Sequence, residues 1–319
     1  MWFLRIRMYL LLIILFAIVY AVVSMVSYAL GITNFYFYLF LSLVMMFIQY
    51  MVGPKLIDWM MQVRYVSEKE YPQLHKMVEE LAQKAGIPKP KVGISMISLP
   101  NAFAFGRSLS DGRVCVTRGI MQILSEEELK AVLGHEISHI KNRDMLTITL
   151  LSVIPMLLYR LAWHLMWYGG GRRREERAPS LALIGLVAFL FYFITNLLVL
   201  YASRIREYFA DRGSVLLGNK PNFLASALYK LVLGSARLER QEFSQVEGIK
   251  AFFLNDPTRA LNEIAELSQL DLNRSGTIDP YELEILKNKR IKLSFADKLL
   301  EILSTHPNML KRIKQLSNY

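Results

Sequence analysis

Along much of this chain apolar residues recur with no charged position between them, and these runs set its organisation. Residues 8–30 and 35–52 carry no charge, nor do residues 181–202. Each run is close to the roughly 20 residues that cross a bilayer as a helix. A weaker run at 145–168 is broken by Pro155, Arg160 and His164. Gly31-Ile32-Thr33-Asn34 separates the first two runs and predicts a tight turn, so together they predict a helical hairpin. The first run is too long for the apolar core of a signal peptide, lacks an Ala-x-Ala exit and is followed at once by another run. It is expected to remain as an anchor.

The stretches between the runs have the periodicities of a water-facing domain. In 71–85, Leu74, Met77, Val78, Leu81 and Ala85 recur at helical spacing, with Pro72 near the first turn. Residues 91–99 and 113–117 predict strands, the second preceded by Ser110-Asp111-Gly112 turn chemistry. "NAFAFG" at 101–106 predicts a short strand near the sheet edge. Ser125 followed by Glu128 forms a capping box that starts a helix at about Glu126, running through His139. After Ala202 the chain continues helically to about Leu217, and 218–319 is polar with no further span.

The implied divisions are 1–53, an N-terminal transmembrane hairpin; 54–144, a water-facing region; 145–202, a second hydrophobic hairpin; and 203–319, a polar C-terminal region. The expected class is a mainly α integral membrane protein, with about four hydrophobic helices and an α+β domain containing a small sheet.

Composition agrees: 53% of residues are hydrophobic and mean hydropathy is positive. The net charge of +11 would suggest nucleic acid in a soluble chain. Here Arg5, Arg7, Lys55, Arg64, Lys141, Arg143, Arg204 and Arg206 flank the apolar runs, where cations meet lipid headgroups. The expected partner is therefore a membrane and not nucleic acid. Cations at both ends of the first hairpin place those ends, and the polar domain, in the cytoplasm. The single Cys115 excludes an internal disulfide and fits a reducing compartment. "GGGRRREER" at 169–177 runs against this topology: if both later runs cross fully, a basic loop lies outside. A hairpin that dips in without crossing is the alternative, and both begin and end on one face.

That face carries the chemistry. "GHEISHI" at 134–140 puts His135 and His139 four apart on a helix, so both can grip one metal ion while Glu136 flanks its water. The chain has five histidines: His75, His135, His139, His164 and His306. A carboxylate is therefore a credible third ligand. His139 lies six residues before the run that begins at Met145, and Glu207 lies five after the return run ends at Ala202. One hairpin thus brings both to the same level. Asp211, one turn beyond Glu207, is placed to accept a hydrogen bond from the far nitrogen of a ligand histidine.

"GHEISHIKNRDMLTITL", "SRIREYFAD" and "NAFAFG", with "THP" at 305–307, resemble the motifs of the HtpX heat-shock membrane endopeptidases. These are gluzincins, more distantly similar to the CAAX prenyl-proteases. The resemblance covers most of the chain and implies one zinc ion held by His135, His139 and Glu207. It also implies Glu136 as the catalytic carboxylate and cleavage of membrane proteins from the cytoplasmic side. Glu136 takes the proton of the attacking water and delivers it to the leaving amine. His306, Arg312 and Tyr208 are candidates for the donor to the oxyanion, with His306 favoured because the resemblance includes its segment. Asn101, Ala102 and Phe103 are expected to bind substrate by strand addition. A dedicated CAAX-type processing protease would call for more spans, and an inactive binding protein would have no use for Glu136.

A second signature stands apart. Residues 271–282, "DLNRSGTIDPYE", fit an EF-hand calcium loop, with Asp271, Asn273, Ser275, Thr277, Asp279 and Glu282 at ligand positions and Gly276 at the turn. Leu267, Leu270, Leu283 and Leu286 fit the apolar positions of flanking helices, whereas no second loop is present to pair with it.

Overall fold

The computed structural model describes residues 35–144, 178–236, 267, 270–289 and 295–319, with 147, 155, 158, 159, 161–163, 165 and 166. The predicted run at 8–30, its turn at 31–34, His164 and the 169–177 loop lie outside these residues, as does most of 145–168. The chain divides into two compact units: Met1–Val52 with Leu146–Ile205, and Gly53–Met145 with Arg206–Tyr319.

In the first unit, helix α1 (Phe35–Met60) contributes its beginning and helix α5 (Ala178–Leu216) its first two thirds. Among the described residues, one helix stretch, Leu183–Leu216 of α5, is long and apolar enough to cross a membrane. Its two faces differ. Gly185 lies against Leu165 and Met166, where a Cβ would collide with the Met166 side chain, and Leu158, Ala162, Leu165 and Ala188 are buried. Leu183, Leu186, Phe189, Leu190 and Phe193 are exposed. An exposed apolar face of this kind marks a surface that contacts lipid or another protein. Thr195 is fully buried, and its hydroxyl donates to the Phe191 carbonyl one turn back (2.8 Å), so it costs no unpaired polar group.

The second unit is built on a four-stranded sheet of β1 (Val63–Tyr65), β2 (Lys91–Ser95), β3 (Ala102–Phe105) and β4 (Arg113–Thr117), in the order β1-β2-β4-β3. β2 and β4 are parallel, with Gly93 opposite Cys115; β1 and β3 are antiparallel edges, with Phe103 opposite Cys115 on the β3 side. The pleat sorts the side chains. Val92, Ile94, Ala102, Val114 and Val116 join the large helical core, while Phe103, Phe105 and Cys115 join Ile57, Met61 and Leu99 in a smaller cluster. "AFAF" thus sends small residues to one layer and large ones to another. The predicted strand at 91–99 stops at Ser95, whose Oγ accepts the Ile97 N–H at 3.3 Å. β1 has no sequence signal: its three residues are Val, Arg and Tyr, two of them exposed.

Helix α2 (Pro72–Ala85) starts with proline in its first turn and ends at Gly86, whose φ of 69° is the left-handed conformation glycine adopts without strain. After the short α3 (Arg118–Ile123), helix α4 (Glu126–Lys141) begins at the predicted capping box, with the Ser125 side chain accepting from Glu128 N and Glu128 Oε2 accepting from Ser125 N. The same buried Glu128 carboxylate also receives the Ser226 hydroxyl (2.6 Å) and Lys230 Nζ (2.8 Å) from helix α6 (Pro221–Ala236), tying the start of the motif helix to a helix about 100 residues away. α4 and the end of α5 approach closely because small residues face each other. A Cβ on Gly213 would collide with Ser138, one on Gly134 would meet Ser214 Oγ at 2.8 Å, and Ser214 Oγ donates to the Ala131 carbonyl at 2.6 Å. Gly134 directly precedes His135, so this close approach determines how near α5 comes to the metal motif. The chain ends with helices α7 (Pro280–Asn288), α8 (Phe295–Ile302) and α9 (Met309–Leu316). α9 is started by the Asn308 side chain and buries Met309, Ile313 and Leu316.

Candidate metal centre

His135 and His139 project from one face of α4, as their spacing requires, with ring centroids 4.7 Å apart and planes near perpendicular. Their Nε2 atoms approach to 3.0 Å. Glu207, on α5, joins them: Oε1 lies 3.5 Å from His139 Nε2 and Oε2 3.7 Å from His135 Nε2. Among the described residues, these three are the group whose ligand atoms all lie within 4.8 Å of one another. The far nitrogens both face carboxylates: His135 Nδ1 is 2.9 Å from Asp211 Oδ1, and His139 Nδ1 is 2.6 Å from Asp144 Oδ2. In neutral rings this puts each proton on Nδ1 and leaves a lone pair on each Nε2. Two imidazole lone pairs and a carboxylate then converge with no donor among them, and a cation resolves that repulsion. The donor set suits a divalent transition metal.

The surroundings are mostly buried. His135 and Asp211 are fully so, and Glu207 is 6% exposed. Arg312, from the apolar face of α9 and 0% exposed, donates Nε (3.0 Å) and Nη2 (2.7 Å) to the two oxygens of Asp211, and its Nη1 is 3.1 Å from Glu207 Oε2. Burial works against the guanidinium's charge, yet the Asp211 and Glu207 carboxylates hold its pKa above the ordinary arginine value. A planar fork is the side chain able to bind one carboxylate bidentately and reach a second.

Glu136, next to His135 on α4, is not one of the three converging ligands and is 4% exposed. Burial raises its pKa above the ordinary glutamate value, with His135 and His139 opposing. A carboxyl shifted upward in this way is suited to hold a proton between two transfers. His306 is buried with Nδ1 3.4 Å from Glu207 Oε2, so the C-terminal segment does enter the site.

The structure brings together His135, Glu136, His139, Glu207, Asp211 and His306 of the residues expected from sequence. It changes the reading of two arginines. Arg312, a candidate oxyanion donor, has its guanidinium committed to Asp211 and Glu207. Arg206, read from sequence as a headgroup cation, is ion-paired with Asp144. Asp144 itself was missed; the available signal was an isolated acid at the threshold of a hydrophobic run. Asn101 is buried at the head of β3, with its backbone N–H donating to Thr117 Oγ1 at 2.8 Å, and Ala102 and Phe103 follow it at the sheet edge.

The 271–282 loop has the turn geometry of its motif. Asp271 accepts the N–H groups of Ser275 and Gly276 (2.8 Å each), and Arg274 and Gly276 have positive φ. Leu267, Leu270, Leu283 and Leu286 are all in the core. Glu282 Oε2 accepts from Asp279 N and its Oε1 from Leu272 N, so this carboxylate caps α7 and closes the loop.

Peptidase family M48 matches residues 68–319. A protease HtpX homolog of Methanothermobacter thermautotrophicus is 52% identical over 232 residues, covering 73% of this chain and 87% of that protein. One of Bifidobacterium longum is 36% identical over 282 residues, covering 83% and 92%. Among solved structures, S. mikatae Ste24p aligns over 99% of this chain and 67% of its own, with a TM-score of 0.50 and 17% identity, a likeness of fold.

Proposed function

This chain belongs to peptidase family M48 and is a membrane metalloprotease, and from that premise we propose that it uses one zinc ion to hydrolyse peptide bonds of damaged or misfolded membrane proteins at the cytoplasmic face. The observation that carries the metal is the convergence of His135 Nε2, His139 Nε2 and a Glu207 oxygen. These residues would hold the ion. Bound there, zinc would supply Lewis acidity to a peptide carbonyl and lower the pKa of water to about 7.

The rest of the reaction falls to the protein's own groups. Glu136 accepts the proton of the attacking water and returns it to the departing amine nitrogen. His306, beside Glu207, donates to the developing oxyanion. Asn101, Ala102 and Phe103 receive an extended substrate segment along β3, which pairs with β4 alone among the described strands, and there backbone hydrogen bonds tolerate many side chains. Support for membrane-protein substrates comes from α5 itself. Glu207 follows the apolar run by five residues of unbroken helix, about 8 Å at 1.5 Å per residue. The cations flanking the apolar runs support the cytoplasmic orientation.

The test is proteolysis of a purified membrane-protein substrate by the full chain in detergent. Cleavage is expected to stop with a chelator and return when zinc is restored. Undiminished cleavage by the metal-depleted chain would remove this reading.

We infer in addition that 271–282 binds one calcium ion, an assignment supported by the Asp271 turn and the positive φ at Arg274 and Gly276. Binding requires Glu282 to exchange its capping hydrogen bonds for the ion. Isothermal titration of the full chain is expected to give a saturable signal between micromolar and millimolar calcium, lost in Glu282→Gln. A silent titration refutes the assignment.

A further inference from the structure

The two ligand histidines are served by matching pairs of charged side chains. Behind His135 stand Asp211 and then Arg312. Behind His139 stand Asp144 and then Arg206. We propose that Asp144 is a positioning residue of the metal site: it fixes the ring and tautomer of His139, and Arg206 holds it in place. The inference rests on the metal reading above.

Asp144 is not where a simple helix would put a partner for His139. Five residues along an α-helix turn the side chain away by about 140°. α4 instead ends at Lys141, with Asn142 N bonded to the Ser138 carbonyl and Arg143 N to the Ile140 carbonyl (3.0 Å each). Arg143 then takes φ 55°, a left-handed conformation uncommon for a residue with a Cβ. This reversal returns Asp144 to within 2.6 Å of His139 Nδ1. The unfavourable backbone conformation at Arg143 is therefore tied to that hydrogen bond, in keeping with the clustering of such residues at functional sites.

Arg206 supplies the second half of the argument. It immediately precedes Glu207 on α5, so a single turn of helix carries both the third ligand and the cation that holds the second ligand's carboxylate. Asp144 and Arg206 are each 7% exposed, so water screens neither partner well. An anchored carboxylate keeps the proton on His139 Nδ1 and aims Nε2 at the ion. His139 is the more exposed of the two ligand histidines, with 17% of its side chain accessible against 0% for His135. Packing confines its ring less, so the hydrogen bond has more of the orientation to supply.

The experiment uses the full chain in detergent, with three readouts: zinc affinity by competition with a chromophoric chelator, the visible spectrum after cobalt(II) loading, and far-UV circular dichroism. Asp144→Asn is expected to keep its helical signal, bind zinc about 10- to 100-fold more weakly and shift the cobalt bands. Arg206→Met is expected to weaken zinc in the same direction, and Arg206→Lys to recover part of the loss. Because Arg206 acts through Asp144, the double variant should be no weaker than Asp144→Asn alone. Parent zinc affinity and cobalt spectrum in folded Asp144→Asn overturn the proposal, as does full addition of the two losses in the double variant. If Asp144→Asn fails to fold, Arg206→Met decides, and parent affinity there overturns it. A parent chain that binds no metal instead refutes the metal reading, a failure distinct from either of these.

Discussion

Glu136→Gln is expected to bind zinc as the parent does and to cleave substrate about 10²- to 10⁴-fold more slowly, the range spanned by general acid–base groups. Glu136 is adjacent in sequence to a ligand but lies outside the convergent group of His135, His139 and Glu207, so its replacement leaves the ligand set whole. Glutamine has the same shape and keeps an acceptor oxygen, so neither packing nor orientation is sacrificed. What it lacks is a site for the proton that must leave the attacking water and reach the amine. The carboxyl is buried at 4% exposure, and burial raises its proton affinity. Metal content measured beside the cleavage rate separates the two roles. Stoichiometric zinc with loss of cleavage supports the assignment, and cleavage near the parent rate sinks it.

Arg312→Met is expected to have the largest effect on stability, a loss of about 3–5 kcal/mol, because it leaves a buried charge without its partner. Arg312 and Asp211 are both 0% exposed, and the fork between them is bidentate. Removing the guanidinium strands Asp211 in the interior. It also removes the cation 3.1 Å from Glu207, so zinc affinity should fall with stability. Arg312→Lys should recover little, since an ammonium is a point charge and cannot serve both oxygens of Asp211 together with Glu207. Asp211→Asn combined with Arg312→Met should be less unstable than the sum of the single changes, as the stranded charge is then gone. Chemical unfolding in detergent, followed by circular dichroism, measures all four. Additive losses would show that the pair is not coupled.

The arginines also show where sequence reasoning stopped. From sequence alone, Arg312 was a candidate oxyanion donor among 38 basic residues, with no sign of its carboxylate partners. Nothing local reveals that α9 packs this face inward and lays the guanidinium on two carboxylates of a helix about 100 residues earlier. Asp144 was missed for the opposite reason. It is close to His139 in sequence, yet its contact depends on a left-handed residue, Arg143, that no periodicity predicts. Glu207 was accessible because a hydrophobic hairpin was expected between it and His139, and such a hairpin would return the chain near its starting level. Asp211 followed from helical spacing.

The elements were read with similar unevenness. The capping box located the start of α4, and Pro72 with the apolar spacing over 71–85 located α2. Strands β2, β3 and β4 were legible from apolar alternation and turn residues. β1 was not, because three residues pairing on the sheet edge need no pattern of their own. The edge place of β3 was read from "NAFAFG", whereas the parallel pairing of β2 with β4 at the centre was beyond any local signal.

By itself the sequence determined the apolar runs, the capped motif helix and the His-Glu-x-x-His spacing, and it singled out Glu207 as the third ligand, because each is written in periodicities of a few residues or in the distance from an apolar run. The tertiary structure decided what surrounds the ligands: Arg312 on Asp211 and Glu207, Asp144 with Arg206 on His139, His306 beside Glu207, and the glycine and serine contact that draws α4 and α5 together. Those depend on which faces pack against one another, and packing is set by complementarity between segments that no local pattern joins.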